Sequence, residues 1–416
     1  MKELNFDKWR ALFSDRAEGM RASDIRDLLD VAARPDIISF AGGLPYLKLL
    51  DYDELELIVT DLISGNGCLS FQYGSTSGYL PLKKSIVEIM NAEGMTVSEN
   101  NIIITDGGQQ ALDLISKIFI NPGDTVLMEA PGYTGALGAF ISYQANVIGI
   151  EMDKDGMRID ELESRIEQGL NNGEKIKFIY TVPNYSNPSG ITLSLERRKG
   201  LLRMAKKFNI LIVEDNPYGM LRFEGKPIDN LFKIDNENVI YVGSISKIFA
   251  PGLRVGWVSS HTSIIEKLDH GKQSSDLCSS SLTQMIAHEY FSKTDWRANV
   301  AKLVKKYREH RNIMAATIDD LFPSECMQSA PCGGFYIWST LPKYINTTDL
   351  LAEAINNKVA FVPGKAFYPD DRGKNEMRLA FCTAEPDEIA VGIKRLANII
   401  KDQMKLYSLL NPKDQK

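Results

Sequence analysis

Short apolar runs alternate along the chain with longer stretches in which apolar residues recur every three or four positions, the pattern of strands alternating with helices. Ile102–Thr105 and residues 126–129, 178–182, 210–213 and 239–242 are rich in β-branched and aromatic side chains and end at turn residues, so each reads as a strand. Residues 210–213 (I-L-I-V) are wholly apolar, as expected of a parallel strand covered on both faces. Helical spacing marks residues 111–120, a largely helical 263–290 with a polar break near Ser279, one long helix over 297–318, and 385–398. Near the start, 23–31 predicts an amphipathic helix capped by Ser23, and residues 37–40 an extended piece running into Ala41-Gly42-Gly43-Leu44-Pro45. Residues 65–78 carry four glycines and are expected to be loop-rich. Strands follow the turn at Gly333-Gly334 and cover 377–381, a further one ends at Pro363-Gly364, and residues 411–416 read as a frayed end. No internal repeat or low-complexity linker interrupts this order, which predicts an α/β protein.

Length and composition narrow the picture. A chain of 416 residues exceeds one average domain, so a large domain with a smaller one is expected. The formal charge of −6 argues against a nucleic-acid partner. No apolar run approaches the roughly 18 residues of a membrane span. The five cysteines are odd in number with no C-x-x-C, and the first twenty residues show no secretory core, so free thiols in a reducing cytoplasm are expected. None of the four histidines forms an H-x-x-x-H pair, and no metal site is expected.

The chemistry centres on the strand at 239–242. It ends at Gly243 and is followed by Ser244, Ser246, Lys247, Pro251-Gly252 and Arg254. Two hydroxyls and a guanidinium can bind a phosphate, and a lysine among them can form a Schiff base with a phosphate-bearing aldehyde. A second anion site is expected at Asp106-Gly107-Gly108-Gln109-Gln110, where a strand, a glycine turn and a helix start leave backbone N–H groups free. Glu214-Asp215 follows an apolar strand at the end where open α/β sheets bind ligands. Rival motifs are incomplete. Gly65-x-Gly67 lacks the third glycine of a dinucleotide loop, no G-x-x-x-x-G-K-[ST] accompanies the acids at 214–215, and Ser244-Ile245-Ser246-Lys247 lacks the partners of a serine acylase.

The spacing S-x-S-K-x-x-x-P-G-x-R-x-G at 244–256 resembles the lysine segment of fold-type I pyridoxal-phosphate (PLP) aminotransferases, closest to the branch holding the 2-aminoadipate and kynurenine aminotransferases. The resemblance runs from about Arg21 to Arg395. It implies a large domain (46–290) with a mostly parallel seven-stranded sheet between helices, a smaller α+β domain (291–416), and an N-terminal arm (1–45) packed with the small domain. It further implies that Lys247 carries the cofactor and moves the proton, Asp215 faces the pyridine nitrogen, and Asn187 and Tyr218 face the phenolic oxygen. Tyr133 would stack on the ring, while Gly107, Gly108, Gln109, Ser244, Ser246 and Arg254 would hold the phosphate. Tyr73 would reach the phosphate of a neighbouring subunit, which implies a homodimer with shared sites. Arg378 would bind the substrate α-carboxylate beside Gly42. Ser23 and Arg26 match a mobile helix over the substrate, with Arg26 either a contact to a distal carboxylate or a solvated helix arginine. The implied activity is transfer of an amino group between an α-amino acid and a 2-oxo acid. A lyase, racemase or decarboxylase on the same scaffold, or a PLP-binding regulator domain, remains as the alternative.

Overall fold

The computed structural model describes residues 9, 12–20 and 34–411. Ser23, Arg26 and the rest of the helix expected at 23–31 lie outside the described residues, as do residues 412–416 of the expected frayed end.

The strands, in chain order, are β1 (Ile38–Ser39), β2 (Ile102–Thr105), β3 (Thr125–Ala130), β4 (Asn146–Asp153), β5 (Gly156–Met157), β6 (Ile176–Thr181), β7 (Leu211–Asp215), β8 (Val239–Ser244), β9 (Gly256–Ser259), β10 (Met327–Gln328), β11 (Tyr336–Thr340), β12 (Val359–Ala360), β13 (Val362–Pro363) and β14 (Glu376–Ala380). The main sheet has the order β2-β9-β8-β7-β6-β3-β4-β5. Neighbours β4, β3, β6, β7 and β8 are parallel, while β9 runs antiparallel to both β2 and β8. The eighth strand is the addition to the expected seven: β5 folds back on β4 as a two-residue antiparallel edge. Every residue of β2, β3 and β9 is buried, because helices cover both faces and each strand supplies apolar side chains to both.

A second sheet, β10-β11-β14-β13, is wholly antiparallel. Helices Trp296–Leu321 and Pro386–Leu410 accompany it. The N-terminal segment joins this part of the chain: β1 pairs in parallel with β12, and the Phe40 carbonyl accepts from the Ala380 amide at 2.8 Å.

Several boundaries differ from the expectation. The expected loop at 65–78 begins inside a helix, Tyr52–Ser70, which Asp51 caps by accepting from the Glu54 amide at 3.0 Å. Gly65 and Gly67 cost this helix some propensity, but the partly apolar face it presents to the core offsets that cost. The helix expected from 111 starts at Gly107. The C-terminal helix reaches Leu410, where a pattern ending near 398 was expected, and Tyr407 stacks on Tyr344 at 3.8 Å. The polar break near Ser279 is real, separating Thr262–Gln273 from Ser281–Lys293.

Candidate active site

The parallel strands deliver their functional residues at their C-terminal ends, as an open α/β sheet requires. Asp215 is the last residue of β7, and Ser244 the last of β8. Lys247 follows in a single 3-10 turn, Ile245–Lys247, which Ser244 caps by accepting from the Ser246 amide at 3.1 Å. The chain then returns as β9, and the pairing of Ser244 with Gly256 brings Arg254 back beside the serines. Arg254 adopts a left-handed backbone (φ 54°) and donates to the carbonyls of Asp106 (3.1 Å) and Pro251 (3.3 Å).

That hydrogen bond to Asp106 joins the lysine segment to the turn after β2. A side chain on Gly107 would lie 2.5 Å from the Arg254 Nη2, and Gly107 itself has φ +75°, so both space and backbone favour glycine. The helix starting there has no side-chain cap, and the first-turn amides of Gly107, Gly108 and Gln109 are free to donate to a ligand. Gln110 Oε1 accepts from the Asp106 amide at 2.8 Å, and the Gln110 side chain is itself held by the buried Lys272 and its half-buried partner Asp276. Ser244 Oγ donates to Ser246 Oγ at 2.8 Å.

Lys247 is enclosed, and its Nζ donates to the Gly43 carbonyl at 3.0 Å. Among the described residues no carboxylate pairs with it. Burial pulls its amine down to about 8; the nearby Cys382 thiol opposes this, while the Arg378 and Arg254 guanidiniums add to it. Asp215 is buried too, accepting from the Tyr180 hydroxyl at 2.8 Å, and burial pushes its carboxyl up to about 6 against that hydrogen bond. No cation among the described residues neutralises it. A buried carboxylate with only a phenol for company is suited to a ligand that brings a positive N–H.

Arg378 on β14 reaches the same region from the second sheet. It donates to Asn187 Oδ1 at 2.7 Å and to the Ala41 carbonyl at 2.5 Å, lies over the Tyr336 ring at 4.4 Å, and leaves its Nε buried without a partner. With Asn187 Oδ1 occupied, the amide NH2 of Asn187 is the group left to donate. Gly42 lies between Ala41 and Gly43 and accepts from the Cys382 thiol at 3.6 Å. One three-residue turn, 41–43, thus accepts from both Arg378 and Lys247. Tyr218 Oη is 3.3 Å from Tyr336 Oη, and burial raises the Tyr218 phenol far above its ordinary range. Tyr133 stands at the start of its helix and donates weakly to Gln109 Oε1 at 3.4 Å; burial, then the Asp215 charge, push it up to about 12. Gln109 Nε2 donates to the Gly135 carbonyl at 2.8 Å.

Tyr73 is not brought to this cluster within one chain: its side chain is 79% exposed. Tyr180 and Tyr336 are parts of the site that no motif in the sequence marked, whereas Gly43 belongs to the glycine turn expected at 41–45. Tyr180 sits inside a strand, where an aromatic residue ordinarily signals core, and a side chain on Gly43 would run into the Tyr336 hydroxyl. Glu129 is also buried beneath the site. It accepts from the Thr181 and Ser186 hydroxyls and the Val182 amide, and so ties the segment carrying Tyr133 to the one carrying Asn187. A cavity of about 720 Å³ elsewhere is lined by Ser189, Arg372 and Trp338 but by none of Lys247, Asp215, Arg254 or Arg378. Among the described residues no cluster of potential metal ligands occurs, and no helix is long and apolar enough to cross a membrane.

The donor set fits PLP. An enclosed amine, a buried unpaired carboxylate, and a glycine-and-arginine cradle for a phosphate converge from β2, β7 and β8. Comparison with known proteins agrees. Residues 53–396 match the family model for aminotransferase class I and II. The chain is 40% identical to aromatic-amino-acid aminotransferase 1 of Thermococcus litoralis, over 97% of this chain and 96% of that one. It superposes on the Pyrococcus horikoshii kynurenine aminotransferase in complex with PMP with a TM-score of 0.91, at 40% identity over 96% of this chain and 99% of the other. The Thermus thermophilus α-aminoadipate aminotransferase, complexed with N-(5'-phosphopyridoxyl)-L-leucine, gives a TM-score of 0.89 at 34% identity over 96% and 99% of the two chains. The chain belongs to the class I and II aminotransferases, and it is a PLP-dependent enzyme of fold type I that transfers amino groups.

Proposed function

We propose that the enzyme takes the amino group of an aromatic or aminoadipate-class amino acid and passes it to a 2-oxo acid, with Lys247 as the residue that carries the cofactor and moves the proton. The observation behind this reading is the 41–43 turn, whose carbonyls accept from Lys247 and Arg378 at once. It fixes the distance between the reacting amine and a guanidinium suited to a substrate carboxylate.

When bound, PLP supplies an aldehyde for the amino group and a ring that withdraws electrons from the substrate Cα. The rest falls to the protein. Free amide groups at Gly107, Gly108 and Gln109, with Ser244, Ser246 and Arg254, hold the phosphate. Asp215 keeps a proton on the pyridine nitrogen, since an opposite charge there stabilises the protonated form. Asn187 and Tyr218 donate to the phenolic oxygen, and Tyr133 covers the ring face. Arg378, held by Asn187 and Ala41 with its Nε unpartnered, binds the α-carboxylate beside the Gly42 backbone and orients the Cα–H bond toward Lys247. The Lys247 amine would then remove that proton and hold it for redelivery, the general-base role that its depressed basicity favours.

The assembly in this reading is a cytoplasmic homodimer of protomers with a large unit (46–290), a small unit (291–416) and an arm (1–45). The pairing of β1 with β12 supports the arm's placement. The dimer is supported by the exposed Tyr52, Leu57, Ile63, Leu69, Phe71 and Tyr73 along and after one helix, a concentration of apolar surface that water disfavours. All five cysteines are free thiols, in keeping with a reducing compartment.

A half-reaction tests the proposal. One amino acid, given alone to the loaded enzyme, should convert the bound cofactor to its amine form and release one keto acid per site. A panel of aromatic, aminoadipate, glutamate and branched donors then ranks the substrates. Lys247→Ala should lose both turnover and the borohydride-reducible link to the cofactor; wild-type turnover in that variant would refute the role given to the lysine.

A further inference from the structure

Glu93 lies at the C-terminal cap of the helix Leu80–Ala92, outside every segment named in the site. Its carboxylate accepts from Asn216 Nδ2 at 3.3 Å and from the Tyr241 hydroxyl at 3.2 Å. Asn216 Nδ2 also donates to Tyr241 Oη at 3.1 Å, closing a triangle. On its other side Asn216 Oδ1 accepts from Asn184 Nδ2 at 2.8 Å, and Asn184 Oδ1 accepts from the buried Arg198 at 2.6 Å. The carboxylate also packs on Gly219, where a β-carbon would fall 2.4 Å from Glu93 Oε1. Glu93 therefore touches the five-residue segment Asp215-Asn216-Pro217-Tyr218-Gly219 at its second and fifth residues. The first and fourth are Asp215 and Tyr218.

We propose that Glu93 is a positioning residue for the cofactor site: it pins the segment 215–219 and so fixes where the Asp215 carboxylate and the Tyr218 hydroxyl stand. The inference rests on the reading in which those two groups meet the cofactor ring. The chain needs such a brace because Asp215 ends its strand and the segment after it is irregular, tied to the sheet by the Asn216 amide on the Val242 carbonyl at 2.9 Å. Side-chain anchors of this kind hold a group to the narrow tolerance that chemistry needs. Burial pushes Glu93 up to about 7, so a neutral side chain of the same shape is compatible with its surroundings. Glutamine keeps an acceptor for Asn216 and can donate to the Tyr241 oxygen.

The test compares holoenzyme carrying Glu93→Ala, Glu93→Gln or Tyr241→Phe, with Asp215→Asn as the reference for the underlying reading. Glu93→Ala should weaken PLP binding and lower kcat, each by about tenfold, the usual scale for removing a supporting contact. The donor KM should change by less than about twofold, since no substrate contact is lost. The absorbance of the bound cofactor, followed against pH, should shift its midpoint in Glu93→Ala and return to the wild-type position in Glu93→Gln. Glu93→Ala with wild-type affinity and an unshifted midpoint overturns the inference. So does Glu93→Gln as impaired as the alanine variant, which would assign the effect to the carboxylate's charge and not to the hydrogen bonds that pin the segment. If Glu93→Ala does not fold, Tyr241→Phe decides: a midpoint shift in the same direction supports the brace, and wild-type behaviour refutes it. Asp215→Asn with unaltered spectrum and affinity would instead refute the reading on which Glu93 depends.

Discussion

Asp215 shows how the site stores unfavourable electrostatics for a ligand to relieve. Its carboxyl is lifted from an ordinary 3.8 to about 6 because burial removes water and one phenol returns too little. For an acid raised in the folded state, the associated stability is present below the unfolded value and is lost as pH climbs from about 4 through about 6. Above that window the cofactor-free protein holds a buried charge with no counter-ion among the described residues. Asp215→Asn should therefore stabilise the cofactor-free enzyme at pH 8 by roughly 1–3 kcal/mol, at about 1.4 kcal/mol per pKa unit, and do almost nothing at pH 4. Denaturant midpoints of the two apoproteins at both pH values measure this, and an equal effect at pH 4 and pH 8 would contradict it. In the role proposed for Asp215, the same substitution should also weaken cofactor binding, because the ring nitrogen would lose its charged partner. Lys247 and Asp215 stood out in the sequence because each follows or ends a short apolar strand, while Asn187 and Arg378 were marked through the resemblance to the family's turn and arginine. Tyr180, Tyr336 and Glu93 were not, because a tyrosine in a strand and a glutamate at a helix end look the same whether or not a site lies behind them.

At the scale of elements, the β8–β9 hairpin brings together the residues proposed to hold the phosphate. Reversal of the chain after Lys247 brings Arg254 onto the turn after β2, and the fit there is tight: a β-carbon on Gly256 would lie 2.6 Å from the Gly107 backbone. Gly107→Ala must place its methyl against the Arg254 guanidinium and hold a left-handed backbone, so Arg254 has to move. The variant should bind PLP about tenfold or more weakly, the scale of a charge-assisted hydrogen bond, yet bind pyridoxal, which lacks the phosphate, about as the wild type does. Fluorescence titration of the apoprotein with both aldehydes checks this; equal losses for the two would place the defect elsewhere. Strand positions were readable because each is a short apolar run between turn residues. Helix ends were less so. The start at Gly107 and the continuation from 398 to Leu410 go with contacts that the local pattern does not contain, such as Arg254 on the Asp106 carbonyl and the Tyr344–Tyr407 stack.

For the whole molecule, the open question of the shared site becomes an experiment. If Tyr73 completes the phosphate site of a second copy, one chain with Lys247→Ala and another with Tyr73→Ala each carry a different defect. Mixed under conditions that exchange subunits, they should form dimers in which one of the two sites is intact. Activity should rise above that of both parents, toward about a quarter of wild type for random pairing of protomers in a twofold dimer. No gain on mixing, with exchange verified by mass, would mean that each protomer holds a complete site. The exposed apolar side chains around Tyr73 belong to this same question.

Read alone, the sequence determined the alternation of strands and helices, the turn glycines, and the spacing that puts a lysine, two serines and an arginine at one strand end. Those are local matters, settled by side-chain periodicity and backbone preference within a dozen residues. The tertiary structure decided which distant groups meet: Arg378 on Asn187 and Ala41, Lys247 on Gly43, Tyr180 on Asp215, Glu93 on Asn216. Such meetings depend on how two sheets and their helices pack, and the shifted acidities of Lys247 and Asp215 depend on the burial that this packing creates. No stretch of chain holds that information by itself, because desolvation and long-range contact exist only once the fold has closed.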